Sequence, residues 1–396
     1  PAVYDRKGWH PMPYLDQGEF YSEFGSFDVR ITVPKAYVVA ATGELQNEDE
    51  KAWLNTRANY TTPRVPKSPP TQRGRTTEKK VQPKPVITPE LQGTKTLHYK
   101  QENVHDFAWF ANKDFIVNKD TLQLSPERTI TVFSFYTPAQ KNVWNESTRY
   151  AKDALRFYSS QLGEYPYSVA TVVQGPESFG GGMEYPTITV IAPTESATDL
   201  DGVIAHELGH NWFYGILATN ERAHPWLDEG LNSYYENPYM RARYGPQSRA
   251  AEVLFQHKAA NKTDQPITTP STLFSEINYA LVAYHKTAEW MKSLEQQLGT
   301  VIFDKMMRRY FTEWKFKHPQ PEDFKAIVAE NLGSHAEEVL AQLDQKGVLP
   351  RSHLTGTTFL HPFQKGAINQ YLTSPTKNVF ILSPALGYNV YDQLML

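Results

Sequence analysis

Two histidines four positions apart, His206 and His210, enclose a glutamate in the stretch His206-Glu207-Leu208-Gly209-His210. On a helix, positions i and i+4 share one face about one turn apart, so both imidazoles reach a single metal ion. Glu207 projects toward the same cleft from an adjacent angle, where a carboxylate takes a proton from a metal-bound water instead of ligating the metal. After eighteen intervening residues comes Glu229, in Trp226-Leu227-Asp228-Glu229-Gly230, as a third ligand. Two histidines and a glutamate leave the fourth position of a tetrahedral zinc ion open, the arrangement of a catalytic and not of a closed structural site. The bare five-residue pattern also arises by chance, as two surface or core histidines on an ordinary helix, so the rest of the chain has to support it.

Composition bounds what those residues serve. The 396 residues allow two or three domains and a substantial core. Hydrophobic residues at 40% with 21% charged describe a globular chain, and a net charge of −3 gives no reason to expect nucleic acid as a partner. No apolar run approaches the ~20 residues needed to span a bilayer, so no transmembrane helix is expected. Cysteine is absent, which leaves His and carboxylate as the only holders of a zinc ion. The start Pro1-Ala2-Val3-Tyr4 lacks an initiator Met and a leader pattern, and is read as that of a mature or trimmed fragment. The apolar end, Leu394-Met395-Leu396, stops in mid-pattern, which suggests a further C-terminal region.

The elements that must position the candidate residues follow from periodicity. Over 1–140, alternating stretches at Phe27–Val33, Tyr37–Ala41, Thr96–Tyr99, Phe107–Phe110 and Thr129–Phe135 predict strands of a β-sandwich-like N-terminal domain. Its dense aromatics, such as Trp9, Phe20 and Phe27, are read as sheet core. Within it, 61–89 holds seven prolines and seven Lys or Arg against the single acid Glu78. That composition predicts an extended, solvated surface insertion in preference to a nucleic-acid or membrane contact.

Near residue 142 the period changes to about 3.6 and a long helix is expected, closed by Gly163, followed by strands at 168–174 and 186–192. Between those strands, Gly180-Gly181-Gly182 allows the backbone to approach a ligand closely, and Glu184 beside it is either an ordinary exposed glutamate or a carboxylate offered to a cationic group. Thr198 or Asp199 is the expected N-cap of the helix bearing His206 and His210, with Gly215 near its end. A second helix over 226–236 carries Glu229. Further helices are expected near 247–259, 279–298, 300–314, 321–332 and 335–346, and strands return at Asn378–Leu382 and Tyr388–Leu396. Tyr279 and Tyr284, at the start of the 279–298 helix, read on their own as core.

Four separate motifs in one order resemble those of the gluzincin metallopeptidases of the aminopeptidase N and leukotriene hydrolase type, collinear over about residues 20–335. Gly181-Gly182-Met183-Glu184 resembles the family's Gly-x-Met-Glu-Asn loop. The His-Glu-x-x-His helix continues into Asn211-Trp212-Phe213, Glu229 stands at the family's spacing, and Tyr284-His285-Lys286 resembles Tyr-x-Lys-Gly. Tyr279 lies where some members have a second tyrosine. The resemblance implies an α+β chain, with a thermolysin-like, mainly helical catalytic domain over 141–348 and a short, truncated β-rich segment over 349–396. It implies one zinc ion per chain on His206, His210 and Glu229, with Glu207 as general base. Glu184, with Gly181, Gly182, Met183 and Tyr279, would bind the substrate and its free α-amino group, and Tyr284 would donate to the oxyanion. Peptides with a free N-terminus are the implied substrates, and bacterial secreted members suggest export. Tyr185, Thr287 and Asp228 depart from the family's usual Asn, Gly and Asn. A zinc endopeptidase, which does not need Glu184, is the alternative within the same chemistry. An inactive zinc-binding interaction module is the alternative outside it.

Overall fold

The structure is a computed structural model that describes residues 2–58, 92–246 and 248–350. The insertion expected over 61–89 and the strands expected beyond residue 350 lie outside those residues. Helix and strand are mixed, as an α+β chain requires. The chain divides into two compact units, Pro1–Thr219 with Trp314–His318, and Asn220–Glu313 with Pro319–Leu396.

The first unit opens with a hairpin of β1 (Ala2–Asp5) and β2 (Gly8–Pro11). Three strands, β3 (Gly25–Pro34), β5 (Glu44–Leu45) and β6 (Thr94–Val104), form a sheet in the order β3-β6-β5, and β4 (Val38–Ala41) pairs with β7 (Trp109–Asn112). A helix absent from the periodicity, α1 (Glu48–Ala58), follows β5 and is held through Leu54 and through Glu50, which pairs with Lys95 at 2.6 Å. Next come β8 (Ile116–Ser125), β9 (Arg128–Tyr136), the short α2 (Lys141–Trp144) and α3 (Ser147–Gln161). Beyond them lie β10 (Val169–Gln174), β11 (Gly182–Met183), β12 (Ile188–Ile191) and α4 (Ala197–Gly209).

These later strands build one mixed sheet in the order β11-β12-β10-β9-β8, with β10 parallel to both neighbours. Val-Ala-Thr-Val-Val-Gln of β10 is buried at every position, as a parallel strand covered on both faces must be. Val173, Ile188 and Val190 share a core with Ile31, Val38, Leu54 and Leu97, so that core runs on both sides of residue 140 in sequence. Helices α3 and α4 pack together against this sheet, and their buried Tyr158 stacks on Trp212 at 5.4 Å.

The second unit is helical among its described residues. Its elements are α5 (Glu229–Tyr244), α6 (Ala250–Ala260), the three-residue α7 (Glu276–Asn278), a π-helix over Tyr279–Lys286, α8 (Thr287–Leu298), α9 (Thr300–Trp314), α10 (Pro321–Leu332) and α11 (Ala336–Ala341). Trp226 stands edge-on to Trp290 and Phe324, and Tyr310 packs on Phe324, forming its core. The single helix expected over 279–298 is therefore a π segment followed by an α-helix. At the change, the Thr287 hydroxyl donates to the Val282 carbonyl at 2.9 Å, five residues back. No helix among the described residues is long and apolar enough to cross a membrane.

Candidate functional site

Helix α4 starts one turn earlier than its expected cap. Ser196 is the N-cap: its hydroxyl accepts the Asp199 N–H at 3.1 Å and donates to the Asp199 carboxylate at 2.7 Å. Thr198 and Asp199 thus lie inside the first turn. The helix also ends at Gly209 instead of continuing toward Gly215, because the chain folds back on itself. Gly215 donates its N–H to the His210 carbonyl at 2.7 Å, and a Cβ there would lie 2.9 Å from the carbonyl oxygens of His210 and Asn211. The last helical turn survives far enough to stack His210 above His206, with the His210 N–H on the His206 carbonyl at 3.3 Å.

That turn sets the two imidazoles with ring centroids 4.7 Å apart and nearly perpendicular, their Nε2 atoms separated by 3.1 Å. Two ligands of a tetrahedral zinc at the usual Zn–N length of about 2.05 Å sit about 3.3 Å apart, so this spacing fits a shared ion. The fit to a zinc ion rests on this donor pair. A Glu184 carboxylate oxygen and a His210 ring nitrogen lie within 4.8 Å of each other. Glu184 and Glu207 are both buried.

The glycine-rich loop is placed by close approach. A Cβ on Gly182 would stand 2.0 Å from the Glu207 Oε1 atom and 2.2 Å from its Cδ, so any larger residue there would have to displace the Glu207 carboxylate. Gly181 takes φ +76°, which also favours glycine. Beyond the loop, Thr187 has φ +64°, an outlier for a β-branched residue. It is held there because Asn211 Oδ1 accepts its N–H at 3.1 Å, its carbonyl accepts the Thr171 N–H at 2.9 Å, and its hydroxyl accepts the Gly43 N–H at 2.9 Å. Asn211, directly after His210, thus ties the loop's far end to the histidine helix. Tyr185, in place of the resembled family's Asn, turns its ring to the core beside Phe110, at 6.3 Å.

In the second unit, Glu229 is the first residue of α5, and its Oε1 accepts the Tyr284 hydroxyl at 2.5 Å. The Tyr279 and Tyr284 rings meet edge to face at 5.7 Å, and the Tyr279 hydroxyl donates to Glu221 at 2.6 Å. Glu221 is fully buried and also receives the Ser271 hydroxyl, at 3.3 Å. Burial of the Tyr284 phenol, then the charge of Glu229, the neighbouring Tyr279, the Glu229 hydrogen bond and the charge of Glu221, hold its pKa well above the ordinary value. Gly230 is a second glycine of close approach: a Cβ there would fall 2.2 Å from Thr287 Cγ2 and 2.6 Å from the Ala283 carbonyl oxygen. This packing sets α5, with Glu229 at its head, directly on the segment that carries Tyr284.

The first unit thus brings together His206, Glu207, His210 and Glu184, with Gly182 against the Glu207 carboxylate and Gly181 and Met183 beside it in the loop. The second unit brings together Glu229, Tyr284 and Tyr279. Sequence reasoning missed Thr187, Asn211 and Glu221 as contributors to this geometry. Asn211 alone carried a signal, its place next to the histidine motif, because the others act across long sequence separations.

Comparison with known proteins adds an independent line. The Peptidase family M1 domain pattern matches residues 147–344, half of the chain. Leucine aminopeptidase 2 of Aspergillus niger is 31% identical over 202 residues, covering 46% of this chain and 32% of that protein. A leukotriene A-4 hydrolase homolog of Botryotinia fuckeliana is also 31% identical over 202 residues, covering 46% of this chain and 30% of the relative. The chain therefore spans about a third of the length of these curated relatives. An M1 zinc metallopeptidase from Deinococcus radiodurans shares the fold at a TM-score of 0.61 and 21% identity, over 85% of this chain and 67% of that one.

Proposed function

The chain belongs to peptidase family M1, and from that premise we propose that it is a zinc-dependent aminopeptidase removing the N-terminal residue of peptides. His206, His210 and Glu229 would hold one zinc ion, which when bound lowers the pKa of a water molecule and polarises the scissile carbonyl. Glu207 accepts the proton of the attacking water and returns it to the leaving amine. Glu184 receives the substrate's α-ammonium, the carboxylate giving charge-assisted hydrogen bonds that a blocked N-terminus cannot match. Gly181, Gly182, Met183 and Tyr279 are assigned to substrate binding, and the Tyr284 hydroxyl would donate to the oxygen on which charge develops.

The observation that carries this reading is the contact of Gly182 with the Glu207 carboxylate. The loop bearing Glu184 lies against the Glu207 carboxylate, which supports amine recognition and proton transfer at one end of a peptide. The relatives' names, leucine aminopeptidase among them, agree. Within the same reading, 1–140 is a β-sandwich-like domain and 141–348 a thermolysin-like catalytic domain, and the protein is exported, which fractionation of producing cells tests. The functional test compares a peptide with a free N-terminus and the same peptide acetylated. Hydrolysis of the first alone is expected; equal cleavage of both identifies an endopeptidase and overturns the proposal.

A further inference from the structure

Tyr284 rides on an uncommon backbone. A π-helix such as Tyr279–Lys286 has a wider turn than an α-helix, is seldom seen, and persists where its surroundings over-determine it. Its last residue, Lys286, is fully buried. The Lys286 Nζ donates to Asp264 Oδ2 at 2.7 Å, to the Gln345 carbonyl at 2.8 Å and to the Gln265 carbonyl at 3.4 Å, so each ammonium proton has an acceptor. Asp264, buried too, accepts the Gly347 N–H at 2.9 and 3.0 Å. The pair thereby ties the end of the π-helix to two separate stretches, at 264–265 and 345–347.

Stability alone is a weak reason for such a pair, because desolvating two charges costs most of what their attraction returns, and apolar groups of similar volume often do as well. An ion pair with every donor satisfied supplies instead a fixed distance and direction. The opposite end of the π-helix is fixed in the same manner, by the Tyr279 hydroxyl on buried Glu221. Ala283, between the two anchors, and Thr287, directly after the second, rest on Gly230, next to Glu229. Reverting to an α-helix would remove the extra residue of the turn and rotate Tyr284 away from Glu229.

We propose that Lys286, through its buried ion pair with Asp264, is a positioning residue that keeps the π-helix in register and so aims the Tyr284 phenol. This rests on the reading above only where Tyr284 is taken to act on substrate. Its test is hydrolysis of leucine 4-nitroanilide by the zinc-loaded protein carrying Lys286→Met, Asp264→Asn or Tyr284→Phe, and by each of the first two combined with Tyr284→Phe. The Tyr284→Phe change is expected to lower kcat roughly a hundredfold. Lys286→Met and Asp264→Asn each lower kcat roughly tenfold with KM little changed, and cost nothing more once Tyr284 is Phe.

A second readout needs no turnover. In protein labelled with 13Cζ-tyrosine and prepared without zinc, the resonance lost in Tyr284→Phe is Tyr284's own, and it is expected to move in Asp264→Asn. That variant keeps the side-chain volume and an acceptor, so it serves even if Lys286→Met does not fold. Full additivity with Tyr284→Phe, or an unmoved Tyr284 resonance, overturns the proposal. An unaffected kcat in Tyr284→Phe instead removes the role of Tyr284 in the reaction, while the resonance still decides the positioning role of Lys286.

Discussion

The residues proposed for chemistry are mounted in two different ways. In the first unit, His206, Glu207 and His210 sit on the last turn of a helix packed against a sheet, and the loop facing them is held by backbone contact at Gly182 and by Thr187. In the second, Glu229 begins a helix and Tyr284 rides on a π segment pinned by the buried acids Glu221 and Asp264. The first mount is made of main-chain close approach and hydrogen bonds to backbone N–H groups, one of them reaching from Thr187 to Gly43. The second is made of side chains that meet across about 20 to 60 residues. A mount built on the main chain tolerates little change at a few glycines, whereas one built on side chains fails through polar partners that no short motif contains.

Substituting each glycine of close approach separates the two mounts. Gly182→Ala drives a methyl into the Glu207 carboxylate, and kcat is expected to fall roughly a hundredfold with circular dichroism unchanged, since small displacements of a base are costly. Wild-type turnover in that variant would break the comparison. Gly230→Ala presses on Thr287 and the Ala283 carbonyl, and an overpacking cost of about 1–3 kcal/mol is expected in denaturant unfolding. Adding Thr287→Ser removes Thr287 Cγ2, the nearest of those atoms, keeps the hydroxyl bonded to Val282, and should return part of that loss. No recovery would show that the contact with Thr287 Cγ2 does not set the spacing.

The smallest expected effect lies in the first unit, away from the candidate ligands. His105 is buried edge-on to Tyr214 at 4.6 Å, and burial pushes its pKa down to about 4, with the charge of His318 acting in the same direction. The unfolded chain takes up this proton near pH 6.5, while the folded chain stays neutral down to about pH 4. The contribution to stability is therefore complete above pH 6.5 and is lost as pH falls toward 4. At pH 5 the loss is on the order of 1–2 kcal/mol, and His105→Phe should flatten the fall in Tm between pH 7 and 5. An equal fall in both proteins would exclude His105 as its source.

How far the sequence reached follows the same division. The alternation of Thr129–Phe135 and the β-branched stretch after Ser168 are both strands of one sheet, and the spacing of His206 and His210 anticipates their 3.1 Å approach. Family membership was legible too, because its motifs are short and ordered. The start and end of α4 were not. Ser196 competed with two equally good capping residues, and the fold-back at Gly215 depends on a close contact invisible in one dimension. Helix α1 escaped because its apolar face is only Leu54 and Trp53, with Glu50, Lys95 and Arg57 supplying the rest of its attachment. The π-helix looked like the start of an ordinary helix, since nothing in Tyr279–Lys286 announces that Asp264 and Glu221 wait in distant loops.

The central claim is that Glu207 performs the proton transfer on a zinc ion held by other residues. Turnover of leucine 4-nitroanilide and zinc content per chain, measured together for Glu207→Gln, test it most directly. The expected result is a loss in kcat of roughly a thousandfold or more with zinc still bound at one ion per chain. A variant that keeps wild-type turnover, or one that loses its zinc along with its activity, would contradict that assignment.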